Sequence, residues 1–387
     1  EVFADSAGAP AAPSRVRRWS DLAGAPGEAV FDDHDGTAPG LLQFTSGTTA
    51  FSKGALLTER ATLNVAHYMG ERIGLAADDV VFSTQPFYHV GGTVTTTLMP
   101  LARGCCMVVP DRYTPEGTLR ALVEHRCTAR YGQGAMYAME LAHEDFEPGM
   151  FPHLTKGWGL GPRPLLDRVH DQMGIGGLVQ LYGLTECSGV TAVAHHEADL
   201  DVRLSTCGPA FPGLELHVDA DSGPGELWIR GWSVMAGYVG PDGTVDPGVD
   251  ADGWFHTGDV GVLDEDGNFR FTDRLKDMIK PGGENVAPAE VERVLLEHQA
   301  VAEVCVVGRP DDRLGEVPVA FVRWRAGADV TADELIRFAS ERMASFKVPR
   351  HVIALDRFPM TASGKVQRTE LRRHLGPPSS SVVGQSG

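Results

Sequence analysis

Several features that would place a protein in a special class are missing from this sequence. No apolar run approaches the roughly 20 residues that a transmembrane helix needs, and residues 1–4 lack the basic and apolar regions of a secretory signal. The six cysteines show no paired metal-ligand spacing, and a chain of 387 residues does not depend on disulfide bonds for its stability. These absences predict a cytoplasmic protein without a membrane span.

Positive charge is also scarce. The formal net charge is −18 and no long block of Lys or Arg occurs, so the chain would repel a nucleic-acid backbone. A single nucleotide needs only a local positive pocket, so ATP is not excluded. The 42% hydrophobic and 22% charged residues are typical of a globular protein, and the length suits two or three hydrophobic cores.

The apolar pattern of the longer, first part of the chain is mixed. Between Leu41 and Thr272, strand-like runs at residues 80–84 and 106–109 alternate with helical patterns such as residues 118–125. This alternation predicts an α/β architecture for a large domain.

A second pattern begins after Thr272. A helix starting near Ala287, strands at residues 301–307 and 317–322, and a capped helix starting at Thr331 predict a small α+β unit of about 100 residues. We therefore predict four parts, namely an irregular lead-in over residues 1–38, a large domain over 39–274, a small domain over 275–376 and a disordered tail over 377–387.

A glycine- and hydroxyl-rich segment follows the apolar run that begins at Leu41. Residues 44–54 read Phe-Thr-Ser-Gly-Thr-Thr-Ala-Phe-Ser-Lys-Gly, without the Gly-Lys-Ser/Thr order of a Walker loop. Backbone N–H groups and hydroxyls between two glycines form a nest for an anion, and a lysine adds positive charge. The alternative is a polar turn between two strands. The candidate phosphate-binding residues are Thr45, Ser46, Gly47, Thr48, Thr49 and Lys53.

Two further segments carry groups that suit a nucleotide. Residues 182–186 read Tyr-Gly-Leu-Thr-Glu after an apolar strand, and residues 253–259 read Gly-Trp-Phe-His-Thr-Gly-Asp. An aromatic ring can stack on a base, a Thr hydroxyl can hold a phosphate, and a carboxylate can carry Mg²⁺ or accept ribose hydroxyls. Taken alone, the Thr-Glu pair also fits a helix cap, and Asp259 also fits a turn.

In this order the segments resemble the signatures of the adenylate-forming superfamily, which contains acyl- and aryl-CoA synthetases, adenylation domains of peptide synthetases and beetle luciferases. Residues 45–54 are similar to its Thr-Ser-Gly-Thr-Thr-Gly-x-Pro-Lys-Gly motif, but Ala50 stands where the family has Gly and Ser52 where it has Pro. If residue 50 requires a positive φ, alanine costs about 1 kcal/mol there. Such strain would weaken phosphate binding, although the hydroxyls and Lys53 remain.

The resemblance extends to the other two segments and implies a role for each residue. The first is similar to the family's Tyr-Gly-x-Thr-Glu motif, which implies that Tyr182 faces the base, Thr185 the α-phosphate and Glu186 the metal. The second resembles Trp-x-x-Thr-Gly-Asp, which implies that Asp259 binds the ribose. Residues 157–162 lie where the family has a glycine-rich loop along the adenine, with a plain surface turn as the alternative.

The predicted domain boundary also carries a family signature. Residues 273–286 are similar to the hinge sequence Gly-Arg-x-Lys/Asp-x-x-Ile followed by Gly-Glu-Asn-Val. The resemblance implies that Arg274 touches the ribose or a phosphate, and that Lys276 is the hinge about which the C-terminal domain rotates between two poses. It also implies that Gly282 and Gly283 line the thiol tunnel in the second pose. As plain sequence, the segment is a charged interdomain linker.

A lysine near the end of the small domain completes the set. Residues 359–366 resemble the family's Pro-x-Thr-x-x-Gly-Lys motif, which implies that Lys365 is the catalytic lysine. A cation between the attacking carboxylate and the α-phosphate stabilises a crowded anionic transition state. Taken alone, a lysine on a glycine-containing loop is a solvated surface charge.

A histidine among aromatic residues bears on the choice of substrate. Residues 86–92 resemble the Phe-x-His-x-x-Gly element of acyl- and aryl-CoA synthetases, which implies that the catalytic candidate His89 lies between the acid pocket and the pantetheine tunnel. The alternative is a histidine satisfied within the core. No Asp stands beside His89, which argues against amino-acid substrates. Residues 131–139 fit either the acid pocket or ordinary core.

The resemblance implies ATP-dependent activation of a carboxylic acid to an acyl-adenylate, release of pyrophosphate, and thioester formation with CoA. The implied ligands are ATP, Mg²⁺, CoA and a small-molecule acid. Two alternatives stay open: a catalytically impaired relative that binds an adenylate without turnover, and an adenylating enzyme that loads the phosphopantetheine of a carrier protein. Only about 40 residues precede the phosphate loop, fewer than the family has, so we expect the sequence to be a fragment.

Overall fold

The computed structural model describes residues 2–3, 16–17, 36–45, 53–360 and 366–375. The chain divides into two units, residues 1–35 and residues 36–387. In the first unit, strands β1 (Val2–Phe3) and β2 (Val16–Arg17) pair in parallel. The tail predicted over residues 377–387 lies outside the described residues.

The second unit holds the remaining described elements. In chain order, its strands are β3 (Pro39–Phe44), β4 (Gly54–Thr58), β5 (Val80–Phe82), β6 (Cys106–Val108), β7 (Ala129–Gln133), β8 (Lys156–Leu160), β9 (Gly177–Tyr182), β10 (Ala192–Val193), β11 (Leu214–Asp219), β12 (Gly225–Gly231), β13 (Gly237–Val239), β14 (Val245–Asp246), β15 (Phe255–Leu263), β16 (Phe269–Arg274), β17 (Val301–Asp311), β18 (Gly315–Trp324) and β19 (His351–Ala354).

Its α-helices are α1 (Glu59–Ile73), α2 (Met99–Arg103), α3 (Pro115–Glu124), α4 (Gly134–Leu141), α5 (Arg163–Met173), α6 (Leu200–Ser205), α7 (Pro288–Leu296), α8 (Ala332–Ser340) and α9 (Arg368–Arg373). A π-helix spans Gly91–Leu98, and short 3₁₀ helices span Thr185–Cys187 and Pro281–Gly283. Within the described ranges, no helix combines the length and hydropathy needed to cross a membrane.

Local sequence explains where two of these helices begin. The helix predicted over residues 118–125 is α3, which starts one turn earlier because Thr114 caps it and Pro115 takes its first position. The capping signal at Thr331 is confirmed at the start of α8. The Thr331 hydroxyl accepts a hydrogen bond from the Glu334 backbone N–H (3.3 Å), and the Glu334 carboxylate accepts one from the Thr331 N–H (2.8 Å).

A six-stranded sheet with the order β10-β9-β8-β7-β5-β6 forms the centre of the larger part. The five strands from β9 to β6 are parallel, and β10 pairs antiparallel at the edge. Helices α3, α4 and α5 connect successive parallel strands, as crossover connections require. The α/β architecture predicted from the alternating pattern is therefore confirmed.

Two antiparallel four-stranded sheets accompany the central sheet, with the orders β11-β12-β15-β16 and β14-β13-β4-β3. In the first, Asp259 on β15 lies directly opposite Arg274 on β16. In the second, β4 begins just after Lys53 and pairs with β13, where Tyr238 faces Ala55. Sheet pairing thus brings candidate residues together that are far apart along the chain.

The last hundred residues form a smaller α+β part. Strands β17 and β18 pair antiparallel, β19 runs parallel to β18, helices α7 and α9 contact β17, and α8 contacts β19. The buried apolar residues between Ile279 and Leu371 cluster separately from those between Ala55 and Phe269. The predicted α+β unit is confirmed, while its boundary at residue 274 and its mobility stay predictions.

One expectation about the glycine-rich stretch 157–162 is wrong. We allowed a plain surface turn there, but residues up to Leu160 form β8 inside the parallel sheet, and Trp158 is fully buried. Gly159 pairs with Gly132 on β7, and a Cβ atom at Gly159 would lie 1.9 Å from the Gly132 carbonyl oxygen. Glycine is therefore required by close strand packing at this position.

Candidate active site

The segment that carries Asp259 is a bulge in the antiparallel sheet. Glu226 pairs with Val260 and Trp228 pairs with His256, so Leu227 of β12 alone faces residues 257–259 of β15. Gly258 adopts a left-handed conformation (φ +68°), which glycine reaches without strain. Bulges beside active sites redirect side chains, and this bulge places the Asp259 carboxylate against β9 and β16.

The Asp259 carboxylate is buried and contacts two other candidate residues. The Tyr182 hydroxyl donates a hydrogen bond to Asp259 Oδ2 (2.7 Å), and Arg274 Nε lies 3.1 Å from Oδ1. Asp259 is 4% exposed, and among the described residues Oδ1 receives no hydrogen bond of good geometry, so its contact with Arg274 is an ion pair only. Burial raises the pKa of Asp259 above its usual range, although Arg274 opposes the shift.

Tyr182 is held from its other sides by aromatic rings. The edge of its ring meets Phe269 at a centroid distance of 4.8 Å, and Phe271 stacks at 6.4 Å. Burial and the adjacent Asp259 carboxylate raise the pKa of Tyr182 well above its usual range, so the hydroxyl stays a hydrogen-bond donor. The motif at residues 182–186 predicted this residue, but not its bond to Asp259.

Tyr238 contacts both Glu186, through its hydroxyl, and Lys53, through the face of its ring. The Tyr238 hydroxyl donates to Glu186 Oε1 (2.7 Å), and Lys53 Nζ lies 4.7 Å from the centre of the Tyr238 ring. The Met235 N–H donates to the Glu186 carbonyl (2.8 Å), which fixes the short helix that also carries Thr185. The lysine of the phosphate segment therefore lies close to the predicted metal-binding carboxylate.

The phosphate segment is described only at its two ends. The Thr45 N–H donates to the Lys53 carbonyl (2.8 Å), so the chain leaves and re-enters the sheet at one hydrogen-bonded pair. Outside the described residues lie the candidates Ser46, Gly47, Thr48 and Thr49, the departures Ala50 and Ser52, and the catalytic candidate Lys365.

The hinge segment is anchored to the smaller part of the molecule. Asp273 Oδ2 accepts a hydrogen bond from the Ala289 N–H at the start of α7 (3.0 Å), and Asp277 forms an ion pair with Arg372 of α9 (2.8 Å). Most of the Lys276 side chain between them is exposed, but desolvation of its less exposed part and the neighbouring Arg274 charge lower its pKa. The hinge candidate thus lies between two anchors on the small domain.

The loop with Gly282 and Gly283 packs against the turn before β18. Both glycines have positive φ values (62° and 90°), and the Gly282 N–H donates to the Leu314 carbonyl (2.7 Å). These contacts place the loop in the small domain.

His89 lies immediately before the π-helix. Its Nδ1 accepts a hydrogen bond from the Gly91 N–H (3.0 Å), while the neighbouring Phe87 and Tyr88 are exposed. A neutral His89 therefore carries its proton on Nε2. The alternative of a core histidine does not fit, because His89 is partly exposed. Residues 131–139 divide between β7 and α4, where Tyr137 is fully buried and Met139 is exposed.

Sequence reasoning missed two residues of this site. Tyr238 links Lys53 to Glu186, and the Glu226 carboxylate accepts a hydrogen bond from the Gly258 N–H (2.9 Å) in the Asp259 bulge. The available signals were an aromatic residue after Ala-Gly and an acid at the start of an apolar strand. Neither signal is specific without knowing which strands pair.

A metal site built from protein side chains alone was not found among the described residues. They contain no group of three or more His, Cys, Asp or Glu side chains that could hold an ion. A single carboxylate fits Mg²⁺, which binds proteins through one or two carboxylates together with the phosphates of its nucleotide. Glu186 is the carboxylate beside the phosphate segment and therefore suits that mode of binding.

Comparisons with known proteins identify the family of this chain. The family model for the AMP-binding enzyme matches residues 6–239, and the model for the AMP-binding enzyme C-terminal domain matches residues 290–365. A similar relative is the 3-[(3aS,4S,7aS)-7a-methyl-1,5-dioxo-octahydro-1H-inden-4-yl]propanoyl:CoA ligase of Mycobacterium tuberculosis, 38% identical over 332 residues. The match covers 85% of this chain, and the chain spans 65% of the length of that ligase.

Two solved structures share the fold. ATP-bound MatB from Rhodopseudomonas palustris superposes with a TM-score of 0.82 at 25% identity, covering 92% of this chain and 72% of MatB. The o-succinylbenzoate CoA synthetase MenE from Bacillus subtilis, in complex with its acyl-adenylate intermediate, gives a TM-score of 0.77 at 28% identity, covering 92% of this chain and 74% of MenE. The chain therefore belongs to the AMP-binding enzyme family, in the acyl-CoA synthetase branch of the adenylate-forming superfamily.

Proposed function

We propose that this protein is an acid–thiol ligase that activates a carboxylic acid with ATP and transfers the acyl group to CoA. The observation that carries the proposal is the Asp259 carboxylate, which is buried between Tyr182 and Arg274 and whose Oδ1 receives no hydrogen bond from the described residues. A buried acceptor without a donor is costly. Ribose hydroxyls supply the missing donors, and the Arg274 guanidinium lies beside the same ribose or its phosphate.

The remaining nucleotide contacts follow from the neighbouring elements. The base lies beside Tyr182, and the α-phosphate is held by the Thr185 hydroxyl. The phosphate segment, from Thr45 to Lys53, cradles the β- and γ-phosphates through its backbone N–H groups and hydroxyls. Glu186 would hold the Mg²⁺ that comes with the phosphates, and the ion would supply positive charge beside the pyrophosphate group.

The small domain supplies the chemistry of the first step. The substrate carboxylate attacks the α-phosphorus, the bond to the β-phosphate oxygen breaks, and pyrophosphate leaves. Lys365 bridges the two anionic reactants and orients the attack. The small domain, residues 275–376, then turns about Lys276 against the large domain, residues 39–274. The Gly282–Gly283 loop and His89 then line the path along which the CoA thiol reaches the adenylate.

The names of similar proteins support CoA as the acceptor. The Mycobacterium relative is named as a CoA ligase, and the Bacillus neighbour as a CoA synthetase with a bound acyl-adenylate. A carrier-protein acceptor and a cytoplasmic location stay predictions from the sequence. The identity of the acid stays open.

Pyrophosphate release tests the first step. The chain is incubated with ATP, Mg²⁺ and a panel of aliphatic and aromatic acids, and we expect release with at least one acid. Lys365→Ala should lower this rate by about a hundredfold or more, while Arg350→Ala, which removes an exposed charge from the same domain, should leave it unchanged. Adenylate binding without release for any acid would support the non-catalytic alternative and overturn the proposal.

Product analysis then distinguishes the acceptors. Free CoA and a carrier protein bearing phosphopantetheine are offered separately to the adenylate formed in the first step. We expect an acyl-CoA product. Acylation of the carrier alone would show that the adenylation proposal holds and that the CoA assignment is wrong.

A further inference from the structure

Three backbone groups of the Asp259 bulge, residues 257–259, are held by hydrogen bonds. The Gly258 N–H donates to Glu226 Oε1 (2.9 Å), and the Gly258 carbonyl accepts from the Leu275 N–H (2.8 Å). The Asp259 N–H donates to the Thr257 hydroxyl (3.0 Å), which itself donates to the Leu227 carbonyl (2.6 Å). Glu226 is the only charged side chain among these contacts, and it holds the one residue with a left-handed conformation.

Glu226 is itself fixed by several neighbours. Its second oxygen, Oε2, accepts a hydrogen bond from the Trp228 indole N–H (3.1 Å) and lies 3.8 Å from His256 Nδ1. His256 in turn contacts Asp250 through Nε2 (3.0 Å). Each oxygen of Glu226 therefore has its own N–H donor, and the carboxylate cannot turn without breaking one of these bonds.

We infer that Glu226 is a positioning residue, which holds the Gly258 peptide so that the Asp259 carboxylate points at the ribose. The inference rests on the proposed function, because the ribose belongs to the proposed nucleotide. The peptide between Gly258 and Asp259 sets the direction in which the Asp259 side chain leaves the backbone. Glycine has the widest range of backbone conformations, so the orientation of this peptide depends on the bonds that hold it.

The chemistry of the carboxylate explains why glutamate is needed rather than an uncharged acceptor. Two N–H donors, from Gly258 and Trp228, approach two different oxygens of Glu226. Glutamine offers one oxygen and one NH₂ group, so it satisfies only one of the donors. Glu226→Gln should therefore weaken the anchor partly, and Glu226→Ala should remove it.

The test compares two nucleotides that differ only at the ribose hydroxyls. Dissociation constants for ATP and for 2′,3′-dideoxy-ATP are measured by calorimetry on the whole chain. The unmodified protein should bind ATP at least about tenfold more tightly. In Glu226→Ala this ratio should fall towards one, through weaker ATP binding and unchanged binding of the dideoxy nucleotide. Glu226→Gln should give an intermediate ratio.

A matched control removes a glutamate from the neighbouring strand. Glu215 pairs with Arg230 on the exposed side of the same sheet and does not contact the bulge, so Glu215→Ala should keep the full ratio. A general loss of folding would weaken both nucleotides equally, and the ratio is insensitive to it. If Glu226→Ala does not fold, Glu226→Gln provides the same comparison.

The outcomes separate the inference from the proposed function. If the unmodified protein binds both nucleotides equally, the assignment of Asp259 to the ribose fails and the proposed function loses its main support. If the unmodified protein and both Glu226 variants all prefer ATP over the dideoxy nucleotide by the same ratio, the assignment of Asp259 to the ribose is kept. The positioning role of Glu226 is then overturned.

Discussion

Among the described residues, the buried carboxylates of Glu140 and Asp259 each face an arginine. Only the Glu140 pair is closed, in the sense that both partners are buried and joined by two contacts. Glu140 and Arg130 are both 0% exposed and form two parallel contacts, Nη1 to Oε2 at 2.5 Å and Nη2 to Oε1 at 3.0 Å. The Asp259 side chain is 6% exposed, yet Arg274 is half exposed and reaches it through a single contact. Arg130 contacts both oxygens of the enclosed Glu140, whereas among the described residues Asp259 Oδ1 receives no hydrogen bond and is left for a ligand.

The electrostatics of the two pairs differ in the same way. Burial alone would lower the pKa of Arg130, but the Glu140 carboxylate, together with the nearby Tyr137 and Tyr113, outweighs burial and holds this pKa above the usual range of arginine. Around Asp259, burial dominates over Arg274 and raises the carboxyl pKa. The Arg130–Glu140 pair therefore compensates the free energy of burying its own charges. The Arg274–Asp259 pair does not, and a ligand can offset the remaining cost.

Opening the closed pair should have the largest effect on stability. Glu140→Leu leaves the Arg130 guanidinium buried without its counter-ion, which should lower the free energy of unfolding by about 3–5 kcal/mol. The double variant Arg130→Met/Glu140→Leu removes both charges and should recover most of that loss. Urea denaturation measures both values. A single variant that loses less than about 1 kcal/mol would show that the pair is not closed to water.

Neutralising the open carboxylate should separate binding from stability. Asp259→Asn loses charge and one acceptor oxygen, so ATP affinity should fall about ten- to hundredfold. The folded-state pKa of Asp259 lies above its unfolded value, so ionised Asp259 costs folding free energy, increasingly as pH rises from the unfolded to the folded pKa and fully above it. Without nucleotide, Asp259→Asn should therefore be at least as stable as the unmodified protein at pH 7.

Urea unfolding of both proteins at several pH values tests whether ionised Asp259 destabilises the fold. The stability difference in favour of Asp259→Asn should shrink as pH falls through that window and should be smallest where both states are protonated. A variant that is less stable than the unmodified protein at pH 7 would show that Arg274 and Tyr182 outweigh the burial of the charge.

The exposed ion pair between Glu215 and Arg230 should have the smallest effect on stability. Arg230 contacts both oxygens of Glu215 through Nε and Nη2, at 2.9 and 2.7 Å, so this pair is a two-contact fork like the buried pair, although the buried pair uses the two Nη atoms. Water screens this exposed pair, so Glu215→Ala should leave the free energy of unfolding nearly unchanged. A loss similar to that of Glu140→Leu would mean that fork geometry, rather than burial, sets the energy.

Sequence could predict those site residues that belong to short motifs of neighbouring residues. Tyr182, Asp259 and Arg274 come from three separate motifs and meet in one cluster. The bond between Tyr238 and Glu186 could not be predicted, because it depends on β13 pairing with β4, and no local pattern records such pairing.

For the fold as well, features set by neighbouring residues could be predicted, and features set by residues distant in sequence could not. The start of α8 was predicted because a capping box lies entirely within four residues. Sequence alone does not predict strand β8, because Gly157 and Gly159 are typical of turns. The reason for each glycine lies elsewhere in the chain: the Gly132 carbonyl leaves no room for a Cβ atom at Gly159, and the Ile175 side chain crowds one at Gly157.

The hydrogen bond from the Thr45 N–H to the Lys53 carbonyl has a consequence for altering this protein. It fixes the two ends of the intervening segment at one point of the sheet, next to Tyr238. Loop-closure entropy grows only slowly with the number of residues between two fixed ends, by about 0.6 kcal/mol for each doubling. We therefore expect that residues can be inserted between these ends at small cost to stability, while Lys53 keeps its place. Evolution or an engineer could then exchange this stretch of sequence without rebuilding the fold.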